Sequence, residues 1–197
     1  MELHMTNSPE ISYTSNSQEM ANEMATYHQN IQAHDIDPPG PTRNDTIKEM
    51  LINIPCLNTK DNLSLDNELS YAEIEHAIKC SPNDKAPGLN GIPTEIYKFL
   101  HKRHIKNIKN DKPSFDIVAL LKAAFNDIET NGVRDKCLLD GWLCLIYKKK
   151  DRCEVANYRP ITVLNAEYKI LTTALMGKLS VLAPKLINKC QAAFIKG

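Results

Sequence analysis

The sequence predicts an α+β fold in which helices pack around a small antiparallel ribbon. Three observations predict it. Apolar residues recur at three- and four-residue spacing in four segments after residue 63. Two short strand-like runs, Trp142 to Tyr147 and Ile161 to Val163, flank a polar, lysine-rich link. Proline and glycine clusters punctuate the chain between these segments.

The elements follow in order. Residues 1–45 are rich in Ser, Asn, Thr, Gln and Pro, and residues 1–62 are expected to form a weakly ordered, acidic arm. Within it, Met20, Met24, Tyr27 and Ile31 fit a short helix over residues 17–33, and a second is expected from Thr46 to Ile52. Asp37-Pro38-Pro39-Gly40-Pro41 continues neither helix nor strand. Ser70-Tyr71-Ala72-Glu73 is a capping box, in which Ser70 bonds the amide of Glu73 and Glu73 reaches back. Ile74, Ala77 and Ile78 give that helix its apolar face, and it should end near Cys80, before Pro82. Lys85-Ala86-Pro87-Gly88-Leu89-Asn90-Gly91-Ile92-Pro93 reads as a loop with specified backbone angles. Pro93 then suits the first turn of a helix with Glu95 near its positive end and Ile96, Phe99 and Leu100 on its apolar face. His101 to Lys112 reads as a mobile basic loop. Ser114 is placed to cap a helix running through Glu129, with Ile117, Leu121, Ala124, Phe125 and Ile128 on one stripe and Asn131-Gly132 at its end. After the ribbon, whose Trp142 is expected in the core, Asn165 is placed to cap a last helix. Tyr168, Leu171, Leu175, Leu179 and Leu182 face one way along it until Pro184, and Ala192 to Ile195 are expected to begin another strand.

Charge divides the chain. Residues 1–80 hold 4 Lys+Arg and 13 Asp+Glu, a net of −9, and residues 81–197 hold 20 and 11, a net of +9. A neutral total therefore hides an acidic arm and a basic body, and a basic body favours polyanions. The six cysteines form no C-x-x-C pair, so zinc-site spacing is missing. Cys80, Cys144 and Cys190 sit beside apolar residues and are expected as small core fillers. The first residues, MELHMTNSPEIS, are polar and unlike a signal peptide, and no apolar run approaches the ~20 residues of a membrane span. Reduced thiols point inside the cell, to nucleus or cytoplasm.

The chemistry lies in three blocks: KAPGLNGIPTEIYKFL (residues 85–100), LIYKKKDRCEVANYRPITVLNAEYKI (145–170) and LINKCQAAFIKG (186–197). In the second, Lys148, Lys149 and Lys150 end one strand and Arg159-Pro160 starts the next, so a hairpin gathers cations suited to a triphosphate or a nucleic-acid backbone. In this order the blocks resemble the N-terminal part of the reverse transcriptase of non-LTR (LINE-type) retrotransposons, over roughly residues 63–197. The resemblance implies a right-hand polymerase fold, fingers and the start of the palm, in a partial domain 63–197. It implies that Lys148 or Lys149, together with Arg159, face the incoming deoxynucleotide triphosphate, and that Lys85, Gly88, Asn90 and Gly91 lie near the RNA template. Glycines at 88 and 91 would let backbone approach backbone.

Two positions depart from the family pattern: Asn90 stands where it usually has Asp, and Ala193 where it usually has Gly. The family's palm holds magnesium through Asp residues on a later strand and a Tyr-x-Asp-Asp turn, and neither motif occurs in these 197 residues. No catalytic residue and no metal ligand is therefore assigned, and magnesium belongs to the complete family enzyme. The expected function is a fragment of an RNA-directed DNA polymerase, a nucleotidyltransferase, inactive alone. The alternative is a nonenzymatic RNA-binding module of the same origin. A third expectation is one segment of a longer reading frame, in which the palm is a partner of this piece. Expected partners are RNA template and deoxynucleotide triphosphates, with no membrane. Tyr158 fits either packing or a sugar contact.

Overall fold

A computed structural model describes residues 3–4, 13–33, 41–52 and 54–187. The architecture is α+β, with seven α-helices and two two-stranded sheets among the described residues. The chain forms two compact units, Met1–Asn53 with Leu143–Thr162, and Ile54–Trp142 with Val163–Gly197. The expected arm boundary at residue 62 falls inside a helix, Thr59–Asp66.

In the first unit, β1 (Leu3–His4) pairs antiparallel with β2 (Tyr13–Thr14), Leu3 opposite Thr14. Asn16 then starts α1 (Ser17–Ala33), its side-chain oxygen accepting from the amides of Gln18 and Glu19 at 2.9 and 3.2 Å. A second helix, α2, spans Pro41–Leu51 and opens on the proline, which has no amide to leave unsatisfied. The arm expected to be weakly ordered is thus largely helical in its described residues. The ribbon, β3 (Gly141–Tyr147) and β4 (Tyr158–Leu164), has the expected antiparallel form. Trp142, expected in the core, is 63% exposed, because both faces of this ribbon are largely open among the described residues.

The second unit carries the main core. It comprises α3 (Thr59–Asp66), α4 (Tyr71–Cys80), α5 (Thr94–Ile108), α6 (Ile117–Asn131) and α7 (Ala166–Leu186). The centre is α4, which packs on α5, α6 and α7. Its capping box forms as read: the Glu73 amide donates to Ser70 Oγ at 3.3 Å, and the Ser70 amide donates to Glu73 Oε2 at 2.7 Å. Ile74 and Ile78 are fully buried with Val118 and Ile170. Each such side chain contributes about 1.5–3 kcal/mol from burial. Asn126 on α6 ties down the segment before α4, accepting from the Leu69 amide at 2.9 Å and donating to the Leu69 carbonyl at 3.2 Å.

Several local expectations are corrected. The basic stretch from His101 is not a loop: α5 runs on to Ile108, because Tyr97 and His101 at i, i+4 are both buried on the core side. Ile96 and Phe99, expected on that apolar face, are 45% and 59% exposed. Asp116, not Ser114, caps α6, accepting from the amides of Val118 and Ala119 at 3.0 and 3.1 Å. The buried face of α7 is Ala166, Ile170 and Ala174 with Leu182, while Leu175 and Leu179 are exposed, and Pro184 falls in its last turn. Cys80 is exposed. Cys190 and the strand expected at Ala192 to Ile195 lie outside the described residues, as do Ala193 and most of the third block.

Candidate functional site

The loop between α4 and α5 is built onto the start of α7. Gly88 lies so close to Asn165 that a Cβ at Gly88 would fall on the Asn165 backbone nitrogen and Cα. Only glycine permits that approach. The Gly91 amide closes a turn on the Gly88 carbonyl at 3.0 Å, with Gly91 itself in the left-handed region at φ +70°. Asn90 is the hub. Its Oδ1 accepts from the Ile92 amide at 3.0 Å, its amide donates to Asn165 Oδ1 at 3.2 Å, and its Nδ2 donates to both Glu167 oxygens at 3.0 and 3.1 Å.

Other groups complete the brace. The Tyr97 hydroxyl donates to Glu167, and burial together with this carboxylate pushes its pKa far up, so Tyr97 stays a donor. Lys169 Nζ donates to the Ala86 carbonyl at 3.2 Å. Asn165 forms no side-chain cap on α7. Its Nδ2 donates instead to the Cys137 carbonyl at 2.9 Å, so this one residue ties the loop, α7 and the turn Lys136–Leu138 together. Leu89, Asn90, Cys137, Asp140 and Asn165 surround a small cavity of about 200 Å³. The Cys137 thiol's hydrogen bond to the Asp135 carboxylate, then that carboxylate's charge, pushes the thiol's pKa up.

Of the residues read as template-facing, Gly88, Asn90 and Gly91 therefore come together, and Lys85 stands exposed in the same loop. Asn165, Glu167 and Tyr97 are the partners that sequence reasoning missed. The only local signal was the NAE start of α7, and its side chains are used across 70 to 77 residues of sequence.

The ribbon from Leu143 to Thr162 belongs to the other unit and locks its own loop. The Lys148 amide donates to the Asn157 carbonyl at 2.9 Å at the ribbon's end. Tyr147 and Tyr158 meet edge-to-face at 5.7 Å, and the Arg152 guanidinium sits 4.8 Å from the Tyr147 ring centre. The two phenols close over the loop: Tyr147 donates to the Lys150 carbonyl at 2.6 Å and Tyr158 to the Arg152 carbonyl at 2.8 Å. Lys150 sits in the left-handed region at φ +77°. Tyr158 is thus a packing residue, and burial raises its phenol against the lowering effect of Arg152. Lys148, Lys149 and Arg159 are all exposed, so this loop offers cations on a rigid turn. Arg152 is the member that motif reading left out.

Among the described residues, no group of three or more His, Cys, Asp or Glu side chains is placed to hold a metal ion, and no helix is long and apolar enough to cross a membrane. No family model matches the chain. The chain is similar to a 149 kDa protein of transposon TX1 from Xenopus laevis, with 24% identity over 159 residues. The match covers 81% of this chain and 11% of that protein, so the chain spans about a tenth of its relative's length.

Proposed function

We propose that residues 63–197 are the fingers and early palm of a non-LTR retrotransposon reverse transcriptase, an RNA-directed DNA polymerase. The similarity to a transposon protein supports the origin. The observation that carries the polymerase reading is the self-locked ribbon loop, with Lys148, Lys149 and Arg159 exposed around it. A guanidinium grips phosphate oxygens bidentately and an ammonium adds a point charge, so this loop suits the triphosphate of an incoming deoxynucleotide. The braced loop at Gly88, Asn90 and Gly91, with Lys85 beside it, takes the template RNA in this reading.

In this reading magnesium is held by the complete enzyme, and this chain's part is binding and orientation, with no polymerisation expected of it alone.

The test is titration of the chain with a fluorescent deoxynucleotide triphosphate. Binding that weakens by more than about tenfold in Arg159→Ala, as loss of a charge-assisted phosphate contact implies, supports the reading. Equal binding by the variant sinks it. Incorporation on an RNA-templated primer by the chain alone would overturn the inactivity.

A further inference from the structure

Lys98, Lys102, Lys106 and Lys109 recur along α5 and its C-terminal cap at the spacing that holds them on one face of the helix. That face borders a groove of about 720 Å³, to which α4 contributes Glu75, Ile78 and Lys79. The groove's single carboxylate is taken: Glu75 is held by Lys79 at 2.7 Å and by His101 at 3.0 Å. Lys98 is taken too, donating to the Ser81 carbonyl and to Asn83. Lys102, Lys106 and Lys109 are exposed and have no carboxylate partner among the described residues. At i, i+4 and i+7 they span about 10 Å of the helix axis. Like charges so placed repel one another, and a row of carboxylates at matching rise relieves the repulsion.

The floor has the opposite character. Ile78 is fully buried beneath it, and Ile105, between Lys102 and Lys106 in sequence, is 39% exposed. Lysine stems are hydrocarbon up to the ammonium, so the groove is an apolar trough with a cationic rim. Among the described residues no Phe, Tyr, Trp, Asn or Gln side chain lines it, so it offers nothing on which to stack or read a base. A trough between two helices takes the apolar stripe of a third. Cations along the rim then select carboxylates on the flank of that stripe. None of the described α-helices of this chain holds more than two acidic residues, so a second copy does not supply the matching row.

We infer that the groove between α4 and α5 is a docking site for an acidic amphipathic helix of a partner protein, its apolar stripe over Ile105 and its carboxylates against Lys102, Lys106 and Lys109. The site needs nothing from the ribbon loop, so it stands whether or not that loop takes a nucleotide.

The test uses the full chain and a labelled peptide of about five helical turns, with leucines along one face and glutamates beside them. A scrambled peptide of the same composition and a single-stranded RNA oligonucleotide are the comparisons. The amphipathic peptide is expected to bind more than about tenfold tighter than the scrambled one, and to gain helical circular dichroism as it binds. Its affinity should fall as salt rises. The triple variant Lys102→Glu, Lys106→Glu, Lys109→Glu changes exposed side chains only, and is expected to lose more than about tenfold in affinity for the peptide. Circular dichroism checks its fold, and the milder triple change to Gln should give a smaller loss in the same direction. Ile105→Ser should weaken binding and leave its salt dependence as it was. Equal binding of the ordered and scrambled peptides overturns the inference, as does unchanged affinity in the triple variants. So does RNA that binds tighter than the peptide and is released by the triple change, or self-association of the chain that the triple change abolishes.

Discussion

Asn90 and Glu167, 77 residues apart in sequence, are joined by one amide donating to both carboxylate oxygens at 3.0 and 3.1 Å. The pairing makes the asparagine at this position specific. In Asn90→Asp the amide donor becomes a second carboxylate facing Glu167, and two anions meet where a donor and an acceptor stood. The variant is expected to lose about 1–3 kcal/mol of stability at neutral pH. Urea denaturation measures it, and Glu167→Gln in the same chain should recover most of the loss. An unchanged midpoint in Asn90→Asp would show that the contact carries no energy.

Two glycines in the same loop are required for different reasons, and substitution separates them. At Gly88 the obstacle is space, since any Cβ meets the Asn165 backbone. Gly88→Ala should therefore cost about 1–3 kcal/mol or displace the loop. At Gly91 there is open space but a backbone at φ +70°. Gly91→Ala should cost about 1–2 kcal/mol, and Gly91→Asn much less, because asparagine visits the left-handed region readily. Asparagine at 88 should fare no better than alanine. Equal tolerance at both positions would contradict the geometry.

The capping box predicts an acid limb. Burial raises the Glu73 carboxyl, but hydrogen bonds from the Ser70 side chain and backbone and the charge of Lys178 outweigh it, and the net shift is down. At Glu75 the hydrogen bond from Lys79 leads, and the shift is also down. A carboxylate whose folded pKa is depressed stabilises fully above its unfolded value, about 4.3. The contribution fades as pH falls through the folded value. The stability gap between the wild-type chain and Ser70→Ala should thus shrink as pH is lowered from roughly 6 to 2. A gap that stays constant across that range would remove Glu73 from the account.

What the sequence made legible was local. The box at Ser70 and Glu73 spans one turn, and its apolar face at Ile74, Ala77 and Ile78 follows helical spacing, so both could be read directly. The end of α6 at Gly132 and the two ribbon strands were equally open to reading. The close approach expected at Gly88 is made, to Asn165. Its partner could not be read, because Asn165 looks like an ordinary cap and spends its side chain on Asn90 and Cys137 instead. The length of α5 was hidden by charge: His101 sits among Lys102, Arg103 and His104 and looks solvated, yet it faces inward beside Glu75. Trp142 misled in the opposite sense, since residue type suggested burial and the ribbon leaves it open.

The start of α6 offers a last test, because two capping residues stand two positions apart. Asp116 Oδ1 accepts from the Val118 and Ala119 amides and from the Tyr71 hydroxyl at 3.3 Å, and its Oδ2 lies 3.3 Å from His104 Nε2. Ser114 reaches only the other side of the same ring, 3.2 Å from His104 Nδ1. The chain thus runs serine, histidine, aspartate, but the aspartate is spent on the helix end and on Tyr71, so the arrangement is a strap between α4, α5 and α6. Asp116→Ala removes a cap, worth about 0.5–2 kcal/mol. It also frees the Tyr71 hydroxyl, whose pKa is raised by burial first and then by the charge of Asp116, and should fall back toward the ordinary tyrosine value. Ser114→Ala removes one exchangeable hydroxyl contact and should cost under about 1 kcal/mol. Ultraviolet titration of Tyr71 and urea denaturation of both variants check this, and a larger loss from Ser114→Ala than from Asp116→Ala would return the cap to the serine.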